Sequence, residues 1–127
     1  MAKNLIYSIN GPGVTIKGKT GLSMMEMVHV GNDHLVGEVI RMDEELTTIQ
    51  VYEETSGLAP GEPVTTTGGP LCVTLGPGIL RNIYAGIQRP LPALEKESGP
   101  FIARGCNLPS LDPDAKWAVA VTVTVGE

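Results

Sequence analysis

The spacing that most suggests chemistry lies at residues 13–20, Gly13-Val14-Thr15-Ile16-Lys17-Gly18-Lys19-Thr20. It satisfies GxxxxGK[ST] letter for letter. In that pattern Lys19 would reach the β- and γ-phosphates of a nucleotide and the Thr20 hydroxyl would hold Mg²⁺. The chemistry needs a strand before the loop and a helix opening at its lysine. It also needs successive backbone N–H groups turned inward, some of them from left-handed residues. The strand is present as NLIYSI (4–9). The rest is missing. Val14-Thr15-Ile16 is a β-branched run that prefers extended backbone. Thr20 is followed by Gly21, a poor first-turn residue, and by a Met-rich stretch leading into a strand. The apolar strand that would end in a metal-binding Asp is broken at Arg41 in VIRMD (39–43). Gly13, Gly18, Lys19 and Thr20 therefore read as a coincidental match on a surface hairpin, with Lys17 and Lys19 in solvent. The alternative is a small autonomous nucleotide-binding protein that uses 13–20 as its phosphate loop.

Other reactive residues carry weaker patterns. His29 and His34 lie five apart, on a strand and in the turn after it, with no acid or thiol pattern beside them. Solvated or hydrogen-bonded imidazoles fit better than metal ligands. Cys72 and Cys106 are 34 positions apart without a CxxC, which excludes a zinc knuckle and a dithiol redox motif and leaves two small buried thiols. No serine sits in GxSxG. Glu44-Glu45 and Glu53-Glu54 are neighbours, and neighbours on a strand face opposite ways, so neither pair makes an acid–base dyad. They read as solvated turn and strand-end residues. Met24, Met25 and Met27 suit either core filling or an adaptable contact surface. The expectation is no catalytic residue, no cofactor-binding residue and no metal site, so the 127 residues alone are inactive.

The frame that would hold these residues is bounded by composition. Sixteen Gly and ten Pro make up about a fifth of the 127 residues, which leaves little room for long helices. The net charge of −5 argues against nucleic acid as a partner. Residues 1–75 carry four cations against nine acids, whereas 76–127 are neutral. No apolar run approaches the roughly 18 residues of a membrane span, and MAKNLIYS lacks a signal-peptide core. A cytosolic chain without membrane insertion is expected.

The first 75 residues read as short strands cut by turns: 4–9, 14–17, 25–30, 35–42, 46–53 and 70–76, with Val64 at the end of a Ser-, Gly- and Pro-rich loop. Val14 and Ile16 share a face, and Gly31-Asn32-Asp33 is a strong hairpin signal. Some six strands at this spacing predict a mainly β fold. A small closed antiparallel barrel of Greek-key type would bury the free edges of its sheet. After Gly76-Pro77-Gly78, Ile79, Ile83 and Ile87 recur at i, i+4 and i+8, which predicts a short helix over 79–87. Residues 90–116 contain five prolines and little periodicity, and WAVAVTVTV (117–125) reads as a strand with no visible partner. The expected organisation is a barrel over 1–75, a linker with a short helix over 76–98, and an incomplete loop-rich β segment over 99–127.

Several segments resemble the catalytic A subunit of the V/A-type rotary ATPases. The most specific is QVYEETSGLAPGEPV (50–64), similar almost throughout to a signature block of that family. VGNDHLVGEVIRM (30–42), VTLGPGIL (73–80), IYAGIQRPL (83–91) and FIARGCNLPSLDPDAKW (101–117) add to it. The likeness runs from about residue 6 to the end. It departs at Ala85, where the family commonly has Asp, and in the more apolar final AVAVTVTV.

The resemblance implies an N-terminal barrel, the start of a nucleotide domain (76–98) and the beginning of the inserted bulge (99–127). It implies an N-terminal piece of a longer protein, nearer the prokaryotic branch by its short N-terminus, whose true phosphate loop, catalytic glutamate and adenine pocket lie beyond residue 127. The family binds Mg-ATP or Mg-ADP and couples ATP synthesis or hydrolysis to proton or sodium movement. Its barrels alternate with those of B subunits at the top of a hexameric head and hold that head together. The implied partners are the B subunit, the neighbouring barrels and, through the bulge, the peripheral stalk. The implied place is the cytoplasmic face of a membrane. A free-standing barrel adaptor with the same fold is a third reading.

Overall fold

Alternation of apolar and polar residues, with β-branched side chains on the apolar face, produces six strands in the computed structural model, which describes residues 4–126. They are β1 (Asn4–Asn10), β2 (Gly13–Lys17), β3 (Glu26–Val30), β4 (Leu35–Met42), β5 (Leu46–Val51) and β6 (Pro63–Pro70). All neighbours are antiparallel, and the order β1-β2-β5-β4-β3-β6 closes on itself. The meander β3-β4-β5 is flanked by β2 on one side and β6 on the other, which gives two overlapping Greek keys.

Every second residue of the central strands points inward: Val14 and Ile16, Val28 and Val30, Leu35 and Val39, Ile49 and Val51. Burying each such side chain contributes about 1.5–3 kcal/mol. β1 departs from strict alternation. The register slips between Ile6↔Ile16 and Ser8↔Thr15, so Ile6 lies inside and Ile9 also packs on the core, while Leu5 and Tyr7 stay exposed. The β1–β6 seam has only two paired positions, Asn4↔Val64 and Leu5↔Pro63. Backbone bonds from Ile6 N–H to Glu62 O (2.9 Å) and from Gly61 N–H to Ile6 O (2.8 Å) extend it.

Glu26 stands on the inward parity of β3 and is 7% exposed. Burial works against its charge. The Thr66 hydroxyl and the N–H groups of Ser23 and Gly68 all donate to the carboxylate, and together they hold it below the ordinary carboxyl value.

Three expected elements fall elsewhere. The sixth strand is Pro63–Pro70, and the expected strand 70–76 is irregular past Pro70, with Leu71, Val73 and Leu75 exposed. β6 pairs with both β1 and β3 and closes the ring, which leaves no edge for a further strand. The expected helix at 79–87 is a single 3-10 turn, Pro77–Ile79, followed by irregular chain with Arg81 and Gln88 at positive φ. Asn82 Nδ2 (2.5 Å) and the Tyr84 hydroxyl (3.1 Å) both donate to Gly78 O, local bonds that compete with helical ones. Helix α1 lies instead at Leu91–Ser98, within the proline-rich stretch. Pro92 sits in its first turn, where no N–H is needed, and Gly99 at φ 75° ends it. Residues 117–125 form no strand and are exposed throughout. A strand persists only beside a hydrogen-bonding neighbour, and the closed barrel has no open edge to offer one.

Candidate functional site

The GxxxxGKT segment is built into the barrel wall. Gly13–Lys17 is β2, paired with β1 on one side and with β5 over its whole length on the other. Its backbone N–H groups serve those ladders. Gly18 N–H donates to Glu45 O at 2.8 Å. The Thr20 hydroxyl accepts from Leu22 N–H (3.3 Å) and meets the hydroxyl of buried Thr47 (3.4 Å). Lys17 and Lys19 are in solvent, and the Lys17 ammonium sits 5.5 Å from the centre of the Tyr7 ring.

His29 Nδ1 lies 3.3 Å from His34 O, and the two rings meet edge to face at 5.9 Å. Among the described residues, no group of three or more His, Cys, Asp or Glu could hold a metal ion. The cysteines differ from expectation. Cys72 is exposed and Cys106 half-buried, because each lies on irregular chain outside the barrel core. Met24 and Met25 are exposed and Met27 half-buried, so this cluster is surface and not core. Glu44, Glu45 and Glu54 are solvated as expected, but Glu53 is not.

Glu53 is the centre of a polar site that ties distant segments together. Its side chain is 5% exposed. One carboxylate oxygen accepts from Val36 N–H at 3.0 Å. The other accepts from Arg89 Nη1 at 2.8 Å and from Gly105 N–H at 3.2 Å. Arg89 Nη1 also reaches Cys106 O at 3.5 Å, while Arg89 Nε is buried with no partner among the described residues. A second clamp lies alongside. Arg104 Nη2 pairs with Asp33 Oδ2 at 2.8 Å, and Arg104 Nη1 donates to Ser56 O. Between the two clamps Gly105, at φ 68°, passes so close that a side chain there would overlap Asp33 O.

Residues 50–64 thus carry the polar groups of the junction. Besides Glu53 and Ser56, the Thr55 hydroxyl donates to Gly11 O (2.8 Å), and Glu62 accepts from Asn32 N–H and Ala59 N–H, both at 3.0 Å. The connector between β5 and β6 therefore braces the β1–β2 turn, the β3–β4 turn and the chain after the barrel. Ala85 leaves its turn intact: its N–H donates to Arg89 O (2.8 Å) and its carbonyl accepts from Gln88 N–H (2.9 Å). A cleft of about 480 Å³ opens beside the junction, lined by His29, His34, Glu53, Cys72, Gln88, Arg89 and Cys106 among others. Gln88 is already committed to the Thr74 backbone by two bonds of 2.7 Å. Glu53 is matched by Arg89, Asp33 by Arg104 and Glu62 by backbone N–H groups, an arrangement suited to holding segments together. Spacing alone does not reveal it, since Glu53 and Arg89 are 36 residues apart and Asp33 and Arg104 are 71 apart. The available signal is that these residues fall in the blocks resembling one family.

A closed six-stranded Greek-key barrel with a braced β5–β6 connector defines the architectural class. Residues 6–68 match the family model described as ATP synthase alpha/beta family, beta-barrel domain, and the barrel belongs to that family. The chain is 50% identical over 125 residues to the V-type ATP synthase alpha chain of Halothermothrix orenii, covering 98% of this chain and 21% of that one. It is 51% identical over 122 residues to the A subunit of the A-type ATP synthase of Halobacterium salinarum, covering 96% and 21%. It is 51% identical over 123 residues to the catalytic A subunit of the V-type proton ATPase of Neurospora crassa, covering 96% and 20%. The chain thus spans about a fifth of the length of these relatives. Among solved structures, the ATPase EscN from the type III secretion system of enteropathogenic E. coli shares the fold, with a TM-score of 0.62 at 22% identity, over 69% of this chain and 21% of that chain. No helix among the described residues is long and apolar enough to cross a membrane.

Proposed function

We propose that this chain is the N-terminal assembly module of the catalytic A subunit of a V/A-type ATP synthase or ATPase, and that it holds the hexameric head together without binding nucleotide itself. The observation that carries this reading is the use of residues 50–64: their polar groups brace a closed barrel to the chain that follows it. The whole protein would bind Mg-ATP or Mg-ADP and couple ATP synthesis or hydrolysis to proton or sodium transport at the cytoplasmic face of a membrane. In this scheme residues 1–75 are the barrel, 76–98 lead into the nucleotide domain and 99–127 begin the bulge. Partners are the neighbouring barrels of the head, those of the B subunit among them, with the peripheral stalk reached through the bulge. The barrel's outer face keeps Leu5, Tyr7, Ile40, Met42 and Leu46 exposed, which suits contact with a neighbour.

The test has two arms. Calorimetric titration with Mg-ATP should give no binding heat for the chain or for its Lys19→Ala variant, and immobilised B subunit should retain both equally on co-purification. Replacing Ile40 and Met42 by Lys should weaken that retention. Saturable Mg-ATP binding that disappears in Lys19→Ala would overturn the reading.

A further inference from the structure

Of the asparagines in the chain, Asn10 alone precedes a glycine; Asn4, Asn32, Asn82 and Asn107 precede Leu, Asp, Ile and Leu. The backbone nitrogen of the following residue can attack an asparagine side-chain amide and close a five-membered ring. Glycine at that position removes the side chain that would crowd the approach. The chemistry therefore singles out Asn10-Gly11.

The fold places this pair in an exposed hairpin turn. Asn10 ends β1 and pairs with Gly13 at the start of β2, so Gly11-Pro12 is a two-residue loop. Gly11 has φ 57°, and the ring of Pro12 forbids a second positive φ beside it. The turn is therefore of type II′, with glycine at its first central position. In such a turn the closing hydrogen bonds belong to the flanking pair, Asn10 and Gly13. The attacking group, Gly11 N–H, is not spent on them. Asn10, Gly11 and Pro12 are all exposed, so water and base reach the reacting atoms.

Two bonds hold the turn in place. The Thr55 hydroxyl donates to Gly11 O, and Val51 N–H donates to Pro12 O, both at 2.8 Å. Ring closure requires Asn10 to rotate about its Cα–C bond, which swings the Gly11 peptide away from Thr55. The β5–β6 connector, which carries Thr55, thereby restrains the motion that the reaction needs.

We propose that Asn10 is a site of self-modification, converting to aspartate and isoaspartate through a succinimide, with the Thr55 hydroxyl as the restraint that slows it. The Gly11 nitrogen bonds to Asn10 Cγ, its proton passes to the departing side-chain nitrogen, and ammonia leaves. Water then opens the ring. Cleavage between Cγ and nitrogen gives aspartate; cleavage between the backbone carbonyl carbon and nitrogen gives isoaspartate. Either product adds a negative charge at the turn. Isoaspartate also inserts Asn10 Cβ into the main chain and moves Gly11 O off its Thr55 donor. This does not depend on the assembly reading.

The test incubates the folded 127-residue chain in mildly alkaline buffer and follows the tryptic peptide 4–17 by mass. An isoaspartyl carboxyl methyltransferase with labelled S-adenosylmethionine reports the isoaspartate. Position 10 should convert ahead of Asn4, Asn32, Asn82 and Asn107, with isoaspartate among the products. Asn10→Gln, which keeps an amide but cannot close the five-membered ring, should abolish the methyl labelling. Thr55→Val, with an unchanged far-ultraviolet spectrum, should convert several-fold faster than the wild type. Asn10 that stays intact in the folded chain while converting in urea would overturn the proposal, because the turn would then forbid the closure. Equal rates in Thr55→Val and wild type would overturn the role given to Thr55.

Discussion

Glu53 and Arg89 form an ion pair whose side chains are 5% and 15% exposed, and the orphaned Arg89 Nε adds a desolvation cost. Removing one partner of such a pair leaves a buried charge unmatched, which costs about 3–5 kcal/mol, whereas replacing both by apolar residues is often neutral. Glu53→Gln should therefore destabilise the chain by roughly that amount in urea denaturation. Glu53→Leu combined with Arg89→Met should recover most of the loss. A single-variant effect below about 1 kcal/mol would mean that the pair behaves as a surface bridge. Glu26 supports a separate expectation with a defined sign. Its folded carboxyl lies below the ordinary value of 4.5, so the stability it contributes is fully present above that value and is lost as pH falls through the folded one. The Tm difference between the wild type and Glu26→Gln should be constant at neutral pH and shrink steadily once pH drops below 4.5. A difference that grows on acidification would contradict the assignment.

Among the elements, α1 and the barrel strands rest on different kinds of support. Leu94, 1% exposed, is the only fully buried side chain of α1, so the helix rests on one anchor and on the Gly99 N–H bond to Glu95 O that closes its C-terminal end. Leu94→Ala should cost about 2–5 kcal/mol locally. Hydrogen exchange over 91–98 should accelerate while the amides of β3, β4 and β5 keep their rates. Accelerated exchange in β4 would show that helix and barrel form one cooperative unit. The proline-rich stretch hides this helix because proline breaks helices at most positions, although Pro92 occupies the first turn, where it is tolerated. Conversely, Ile79, Ile83 and Ile87 have helical spacing without helical backbone, because Gly78 O is taken by Asn82 and Tyr84.

For the whole molecule, closure makes every strand a neighbour of two others, so the barrel has no element that can leave by itself. Ile49, with no exposed surface, lies on β5 in the middle of the ring. Ile49→Ala should lower the protection of all six strands together by about 2–5 kcal/mol, as read by native-state hydrogen exchange. Loss confined to β4 and β5 would argue against a single cooperative barrel. Closure also explains the misplaced sixth strand: VTLG alternates as a strand should, but the ring is already complete at Pro63–Pro70.

What the sequence alone determined is local. The alternation in β2 and the Gly31-Asn32-Asp33 turn settle backbone shape and inward faces, because steric preference and apolar period act over a few residues. The β-branched run at 14–16 predicts extended backbone, and the structure places it in a strand. Only the tertiary structure decided what depends on partners far along the chain. The bulge in β1, the burial of Glu53 against Arg89, the Arg104–Asp33 clamp and the irregular course of 117–125 each follow from which segments meet. A carboxylate at a strand end is solvated or ion-paired according to what packs over it, and local spacing carries no record of a partner 36 residues away.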